Sequence, residues 1–313
     1  MRWQLKAAVQ KSLDFLPEAS AENVNYALQR RVSRSFPTSK PQFLLHFDQA
    51  IEHVRNYERF APPEAPALDQ VRAYEFGAGW DLVGPLTMYS QGVNHQVLID
   101  LRRLLRWELV DHVVKLFGSQ REQLERRAGR ELRPVNGRPI GSVEELRRRY
   151  GIEYHAPRDA RDTGLPNASF NLITNTYTLE HVPAGQLPPI LRECERLLAP
   201  GGVMSCSVDL HDHYAYADPR ISVYNFLRYS DRTWNAINSK LHHQNRLRAP
   251  DYIRLFGDTG MTIANVEITV PPDADERLRQ LRIAERFVRA YTREELAGTI
   301  LFITTIRSRR RDN

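Results

Sequence analysis

From residue 71 onward, short apolar runs alternate with longer amphipathic stretches. The runs have the length of β-strands and lie at 71–76, 95–101, 152–159, 169–176 and 203–210, with two more at 261–270 and 299–308. Between them, apolar side chains recur at helical spacing, and in the stretch that starts at residue 103 these are Leu104, Leu105, Leu109, Val113 and Leu116. Strands separated by helices imply right-handed crossovers. The pattern therefore predicts one α/β domain with a mostly parallel sheet.

The first 65 residues have no such alternation and are predicted to form a helical N-terminal cap. Three helical segments are expected, and Pro17 should end the first of them. A segment rich in proline and alanine at 61–69 marks a boundary, so we expect a cap at 1–65 and a sheet domain at 66–313. The first helix alternates apolar with basic side chains. Such a helix either packs on its own domain or lies on a membrane surface.

Two further segments interrupt the strand–helix alternation. The stretch near 118–150 is highly charged and is predicted to be a helical insertion, with Ser142 and Glu145 as a capping box. The stretch near 211–260 is rich in histidine, tyrosine and tryptophan and is expected to cover the substrate.

Composition and charge narrow the class of protein. The chain of 313 residues has 44 Lys and Arg against 38 Asp and Glu, a net charge of +6, and its basic clusters suit solvated helix faces or attraction to an anionic partner. Nucleic acid is disfavoured, because no dense basic stripe is interleaved with aromatics. Cys194 and Cys206 make neither a disulfide framework nor a metal motif. No apolar run reaches the ~20 residues of a membrane span and no secretion signal is present, which favours a cytoplasmic protein.

Ligands of open α/β sheets bind beyond the carboxyl ends of the strands, so the residues there carry the candidate chemistry. Gly77 and Gly79 follow the first strand and allow close backbone approach to a ligand. Asp100 ends the second strand and is placed to accept hydrogen bonds from ribose hydroxyls. A nicotinamide dinucleotide would also suit these positions, but the third glycine of its fingerprint is replaced by Leu82.

Four more motifs give the chain a specific resemblance over about residues 70–210. They are the sequence from Glu75 to Asp81, the Asp159–Ala160 pair, the Asn175–Thr176 pair followed by Leu179 to Val182, and the turn from Leu198 to Gly202. Together with Asp100, these motifs resemble the class I S-adenosylmethionine-dependent methyltransferases of small molecules. The family pattern has a third glycine in its first motif, and here Asp81 stands in its place.

The resemblance implies a Rossmann-like, doubly wound sheet of seven strands with an antiparallel last strand. It implies S-adenosyl-L-methionine as the cofactor, with Glu75 and the glycine turn at its amino-acid end, Asp100 at the ribose and Asp159 at the adenine. The implied cofactor-binding residues are Glu75, Gly77, Ala78, Gly79, Asp100, Leu101, Asp159, Ala160, Asn175 and Thr176. Asp159 as a plain surface-turn residue is the alternative interpretation.

The segment after the fifth strand is the predicted acceptor side. His211, Asp212 and His213 are the candidates for catalytic base, orienting group or substrate clamp, because imidazole titrates near neutral pH. As a metal site this run is poor, since adjacent side chains of an extended segment point in opposite directions, and no metal is expected. Predicted substrate contacts are His181, Tyr214, Tyr224 and Trp234. Ordinary packing is the alternative for the aromatic residues, and a structural role at a helix start is the alternative for His181.

The segments around 221–231 and 245–248 are similar to those of bacterial methyltransferases associated with polysaccharide or glycoconjugate synthesis. This resemblance favours methylation of a hydroxyl of a sugar, either lipid- or nucleotide-linked. N-methylation of an amino sugar and methylation of a quinone-like lipid are the enzymatic alternatives. A cofactor-binding regulatory subunit and a nicotinamide oxidoreductase are the alternatives from other classes.

Overall fold

A computed structural model describes residues 2–32 and 35–308, so the end of the C-terminal basic cluster lies outside the described residues. Seven strands form one sheet in the order β3-β2-β1-β4-β5-β7-β6. The strands are β1 (Arg72–Phe76), β2 (His95–Ile99), β3 (Ile152–His155), β4 (Phe170–Thr176), β5 (Leu198–Asp209), β6 (Met261–Thr269) and β7 (Ile300–Arg307).

The strand directions confirm the predicted Rossmann-like α/β fold. Strands β1 to β5 pair in parallel, whereas β7 runs antiparallel to both β5 and β6. The strand order reverses between β1 and β4, which pair through Ala73 and Leu172. A crevice therefore opens beyond the carboxyl ends of these two strands, where ligands of such sheets bind.

Helices cover both faces of the sheet, which explains why its central strands are apolar on both sides. One face carries α7 (Leu187–Leu197) and α9 (Ala249–Gly257), with Ile190 and Phe256 in the core. The other face carries α4 (Val83–Ser90), α5 (Trp107–Ala128) and α6 (Val143–Tyr150). Short helices α8 (Asp231–Ile237), α10 (Ala274–Arg279), α11 (Glu285–Ala290) and α12 (Arg293–Ala297) form a separate apolar cluster beside the last strands.

The N-terminal region contains three helices, α1 (Trp3–Leu13), α2 (Glu18–Arg31) and α3 (Lys40–Phe60). Helix α3 shares the core of the sheet domain, because Phe43 and Phe47 are fully buried in the cluster that includes α4 and α5. Helix α1 packs on the segment after β5, with the ring of Trp3 5.6 Å from that of Tyr214. The buried face of this helix thus lies against its own chain.

Only part of the segment near 118–150 is helical. Helix α5 continues to Ala128 because Leu124 and Ala128 stay in the core, and non-helical chain then leads to α6. Ser142 caps α6 by accepting a hydrogen bond from the Glu145 amide at 3.2 Å. The Glu145 carboxylate accepts from the Gly141 amide instead of the Ser142 amide, so the capping box predicted from the sequence is only half formed.

None of the helices in the described ranges is long and apolar enough to cross a membrane.

Candidate active site

A cavity of about 530 Å³ lies at the reversal point of the sheet. Its floor consists of the residues that follow β1, β2 and β4, and its opposite wall comes from α2 and the segment that leads into α3. This volume falls within the range of small-molecule sites. Of the sequence-predicted residues, it brings together Glu75, Gly77, Ala78, Gly79, Asp100, Leu101, Asp159, Ala160, Thr176 and His181.

The glycine turn after β1 requires left-handed backbone at two positions. Gly77 has φ of +77° and Gly79 has φ of +75°, which side chains other than hydrogen adopt only at a cost. A Cβ atom on Gly77 would collide with the Thr178 side chain, which follows β4. A Cβ atom on Gly79 would meet no described atom within 4 Å and would point into open space. Gly77 therefore serves the fold, and Gly79 leaves its space to a ligand.

Two buried carboxyl groups lie beside this turn. Asp100 accepts hydrogen bonds from the Gly79 amide at 3.2 Å and from the Tyr154 hydroxyl at 3.0 Å. Glu75 accepts one from Thr174 Oγ1 at 3.3 Å. Burial raises the pKa of Asp100 to about 8 and the pKa of Glu75 to about 7. A ligand that donates hydrogen bonds or carries positive charge would stabilise the ionised form of either group.

We predict that the affinity for a ribose ligand rises with pH up to about 8. Ribose hydroxyls donate hydrogen bonds and so favour the ionised form of Asp100. In the free protein, the raised pKa of Asp100 keeps its carboxyl group protonated below about pH 8. Binding must then release a proton, and the affinity should fall roughly tenfold for each pH unit below 8. Calorimetry with methylthioadenosine, which lacks the titrating amino-acid group, measures this dependence between pH 6 and 9. Asp100→Asn is the control and should bind weakly at every pH; a flat profile for the wild type would contradict the assignment.

The remaining cofactor candidates occupy different surroundings. Asp159 lies at the cavity and accepts hydrogen bonds from Arg161, which hold the pKa of Asp159 below its usual range. Thr176 lines the cavity and contacts His53 through Oγ1 at 3.0 Å. Asn175 is fully buried, and its side-chain amide donates a hydrogen bond to the Phe76 carbonyl oxygen at 2.8 Å. Asn175 thus joins the ends of β4 and β1, and it does not line the cavity.

The departure from the family's glycine motif has a structural explanation. The ring of Trp80 stacks on Tyr26 of α2 with centroids 5.5 Å apart and lies 5.4 Å from Phe36. Asp81 accepts a short hydrogen bond from the Thr38 hydroxyl. Trp80 and Asp81, which stands in place of the third glycine, therefore attach the glycine turn to the N-terminal helical region.

Helix α2 closes the cavity on the side opposite the sheet. The side-chain Oδ1 of Asn25 lies 2.8 Å from His242 Nε2, and Glu22 forms an ion pair with Arg102 at 3.5 Å. The wall that α2 and the 240–243 turn supply contains Glu22, Asn25, Gln29, Lys240, His242 and His243. Sequence reasoning missed these residues because nothing local to α2 indicates which part of the sheet it will face.

Beyond this wall, a cluster of ring side chains surrounds Asp209 at the end of β5. The Asp209 carboxylate lies 2.6 Å from His211 Nδ1, accepts a hydrogen bond from the Tyr216 hydroxyl at 2.5 Å and lies 3.2 Å from His213 Nε2. Burial opposes ionisation, but the two histidines hold the pKa of Asp209 well below its usual range. An ionised Asp209 orients His211 and would stabilise a positive charge on it. Asp209 lies at the carboxyl end of β5, so its strand-end position is the signal in the sequence that could have identified it.

His181 connects this cluster with the cavity. Its ring centroid lies 4.9 Å from that of His213, and its own side chain lines the cavity. The Nδ1 atom lies 2.8 Å from the His243 carbonyl oxygen, so Nδ1 carries the proton and Nε2 carries the lone pair. Burial and the neighbouring His213 lower the pKa of His181 to about 4, which keeps the ring neutral.

Of the seven predicted acceptor-side residues, only His181 lines the cavity. His211 and His213 belong to the cluster around Asp209, and the other four are buried elsewhere. Asp212 is fully buried and accepts hydrogen bonds from the Tyr214 amide and the Asn225 side chain, so it holds its own loop together. Tyr214, Tyr224 and Trp234 are at most 7% exposed and pack with Trp3 in one apolar cluster. Their positions correct the expectation of substrate contact, because a side chain enclosed in a core has no surface left for a ligand.

Sheet order, glycine turn and strand-end carboxylates together define the class I S-adenosylmethionine-dependent methyltransferase architecture. Residues 90–266 match the family model described as a methyltransferase domain, and the chain belongs to this family. It is therefore an S-adenosyl-L-methionine-dependent methyltransferase. No curated protein sequence matches the chain.

Several solved structures are similar to it at low sequence identity. An S-adenosylmethionine-dependent methyltransferase from Mesorhizobium loti is 18% identical, with 83% of this chain and 100% of that chain covered and a TM-score of 0.44. One from Methanosarcina mazei is 12% identical, with coverages of 82% and 97% and a TM-score of 0.47. Geranyl diphosphate C-methyltransferase from Streptomyces coelicolor A3(2), in complex with Mg²⁺, geranyl-S-thiolodiphosphate and S-adenosyl-L-homocysteine, is 12% identical, with coverages of 82% and 75% and a TM-score of 0.45.

Proposed function

We propose that this methyltransferase transfers a methyl group to a hydroxyl of a sugar or glycoconjugate. The observation that carries the proposal is the number of hydrogen-bonding groups on the cavity wall opposite the cofactor turn, a wall that also contains Phe36 and Leu241. That wall presents amide, carboxyl and imidazole groups from α2, α3 and the 240–243 turn, among them Asn25, Gln29, Gln42, His46 and His242. Groups that both donate and accept hydrogen bonds suit a polyhydroxylated ring.

We propose that the cofactor lies along the turn from Glu75 to Gly79, with its ribose at Asp100 and its adenine beside Asp159. The open space at Gly79 and the buried carboxylates fit such a ligand. Bound there, S-adenosyl-L-methionine supplies a methyl carbon that its sulfonium already makes electrophilic. The protein then has to hold the acceptor oxygen in line with that carbon and to remove its proton.

The acceptor oxygen forms its bond to the methyl carbon as the carbon–sulfur bond breaks, and the bonding pair stays on sulfur. We propose that the hydroxyl proton moves into the imidazole cluster and is held at His211. Asp209 accepts from His211 Nδ1, so His211 Nε2 is left with a lone pair. His181 lines the cavity and would position the acceptor. Its ring centroid lies 4.9 Å from that of His213, so these two rings would connect the cavity with His211.

Incubation with deuterium-labelled cofactor and a panel of acceptors tests the proposal. The panel contains nucleotide-linked sugars, their amino-sugar counterparts and a hydroquinone, and mass spectrometry locates the labelled methyl. We expect O-methylation of a sugar. Exclusive labelling of an amino group or of the hydroquinone would overturn the proposed acceptor while leaving the methyltransferase activity intact.

A lipid-linked sugar is the form of acceptor that one further observation favours. Leu5 near the start of α1 is exposed, as are Phe15 and Leu16 in the turn after this helix, and Phe15 is 87% exposed. These side chains, on a protein of net charge +6, suit contact with an anionic membrane surface. Co-sedimentation with vesicles that contain phosphatidylglycerol, compared between wild type and Phe15→Ser, tests this contact. Binding should drop several-fold in the variant, and equal binding would exclude the contribution of α1.

A further inference from the structure

Three potential metal ligands meet where the imidazole cluster approaches the cavity. Glu180 and His181 belong to a single 3₁₀ turn, Leu179–His181, that follows β4, and His213 follows β5. One ligand atom from each lies within 4.8 Å of those of the other two. Parallel strands β4 and β5 are neighbours in the sheet, so the residues beyond their carboxyl ends are brought together by the fold itself.

Glu180 is the unusual member of this group. It is only 2% exposed, and within residues 2–32 and 35–308 neither carboxylate oxygen has a well-aligned hydrogen bond, although the backbone amides of Glu180 and Asp209 lie near it. Burying a carboxyl group without hydrogen-bond partners is unfavourable, and more so when the group is ionised. A cation at this position would give the Glu180 carboxylate oxygens the partner that the neighbouring protein groups do not supply.

The imidazoles of His181 and His213 each present a nitrogen that could coordinate the same cation. The Nδ1 of His181 is engaged by the His243 carbonyl, which fixes the ring and leaves Nε2 as a lone-pair donor. Metal-bound histidines are usually held in this way by a carbonyl or carboxylate on the other nitrogen. The Nε2 of His213 lies 3.2 Å from Asp209 Oδ2, and it has no aligned hydrogen bond to any described group.

We propose that Glu180, His181 and His213 form a binding site for a divalent first-row cation such as Mn²⁺. Two imidazoles and one carboxylate are a ligand set that such ions accept, and the ligands leave coordination positions open. The site departs from the expectation drawn from the His211–His213 run, because its other two ligands come from the turn after β4. Asp209 adds a second negative charge beside the site, so the dication would be balanced locally.

The position of His181 in the cavity wall gives the cation a function. An acceptor hydroxyl in the cavity could occupy one of its open positions, and a bound cation lowers the pKa of such an oxygen. The proton would still leave to His211, which is not a ligand. Metal binding is measured without an acceptor, so its failure would leave the proposed sugar acceptor untouched, and a different acceptor would leave the site untouched.

The test uses the full chain, treated with a chelator and dialysed, and titrated with MnCl₂ while free Mn²⁺ is followed by electron paramagnetic resonance. We expect one saturable Mn²⁺ per chain and a loss of affinity of at least tenfold in both Glu180→Gln and His213→Gln. His95→Gln, an exposed histidine at the start of β2, is the matched control and should bind like the wild type.

S-adenosyl-L-homocysteine binding shows whether each variant is folded, because neither Glu180 nor His213 lies among the proposed cofactor contacts. Absence of saturable Mn²⁺ binding in the wild type would overturn the proposal. Equal Mn²⁺ affinity in the wild type and in both folded variants would also overturn it, since the ion would then bind elsewhere.

Discussion

Replacement of His211 by glutamine is expected to lower kcat for O-methylation about 100- to 1,000-fold, the usual contribution of a general base. Glutamine keeps a similar size and a polar end but cannot hold a proton. In the wild type, the Asp209 carboxylate 2.6 Å from Nδ1 stabilises the imidazolium that forms when His211 takes the hydroxyl proton. His211 is not among the proposed cofactor contacts and does not line the cavity, so the affinity for S-adenosyl-L-homocysteine should change less than twofold.

Initial rates with the acceptor found in the panel give kcat, and calorimetry gives the affinity for S-adenosyl-L-homocysteine. Tyr216→Phe is the matched control, because it removes one hydrogen bond to Asp209 at 2.5 Å and leaves the Asp209–His211 pair in place. We expect it to lose only a few-fold. An amine acceptor needs little help from a base, so an unchanged kcat in His211→Gln would point to N-methylation and contradict the proposed role.

The sequence predicted the sheet well because each strand carries its own signal. Strands β4 and β5 are buried on both faces, so they appear in the sequence as continuous apolar runs bounded by turns. Cofactor candidates such as Gly79 and Asp100 could be found for a related reason. They lie at strand ends, and the fold class alone fixes which strand ends meet.

The aromatic residues after β5 show where this kind of prediction fails. Tyr214 and Trp234 are close in sequence to His211, and the same residue types would line a sugar site or fill a core. Helix α1 decides between the two outcomes, since Trp3 covers the Tyr214 ring from a position more than 200 residues away. Such long-range contacts leave no trace in the local pattern.

At Trp80 and Asp81, the sequence carries a local signal, but the reason for it lies in long-range contacts. The sequence identified them as the irregular part of the cofactor turn, but not the reason for it. Their partners, Tyr26 and Thr38, belong to the N-terminal region that forms the opposite wall of the cavity. The turn therefore contacts both the proposed cofactor position and the proposed acceptor wall, which makes it the element that couples the two halves of the site.

Substituting alanine for Gly79 should weaken S-adenosyl-L-homocysteine binding about 100-fold and leave the protein folded. The new methyl group would meet no described atom within 4 Å, so the fold loses only the roughly 1–2 kcal/mol of a left-handed alanine. The same methyl group would occupy space that the proposed position of the cofactor requires. A 100-fold loss corresponds to about 2.7 kcal/mol, within the usual cost of overpacking a tight site.

Gly129→Ala is the matched control for the backbone cost. Gly129 ends α5 with φ of +70°, and a Cβ atom there also meets no described atom within 4 Å, but it lies outside the cavity lining. Denaturant unfolding should show similar destabilisation of the two variants, whereas calorimetry should show weakened binding in Gly79→Ala alone. Gly77→Ala should be the least stable of the three, because its methyl group collides with Thr178 and forces β1 and β4 to adjust at their ends. Wild-type affinity in a folded Gly79→Ala variant would mean that the cofactor does not pass over this turn.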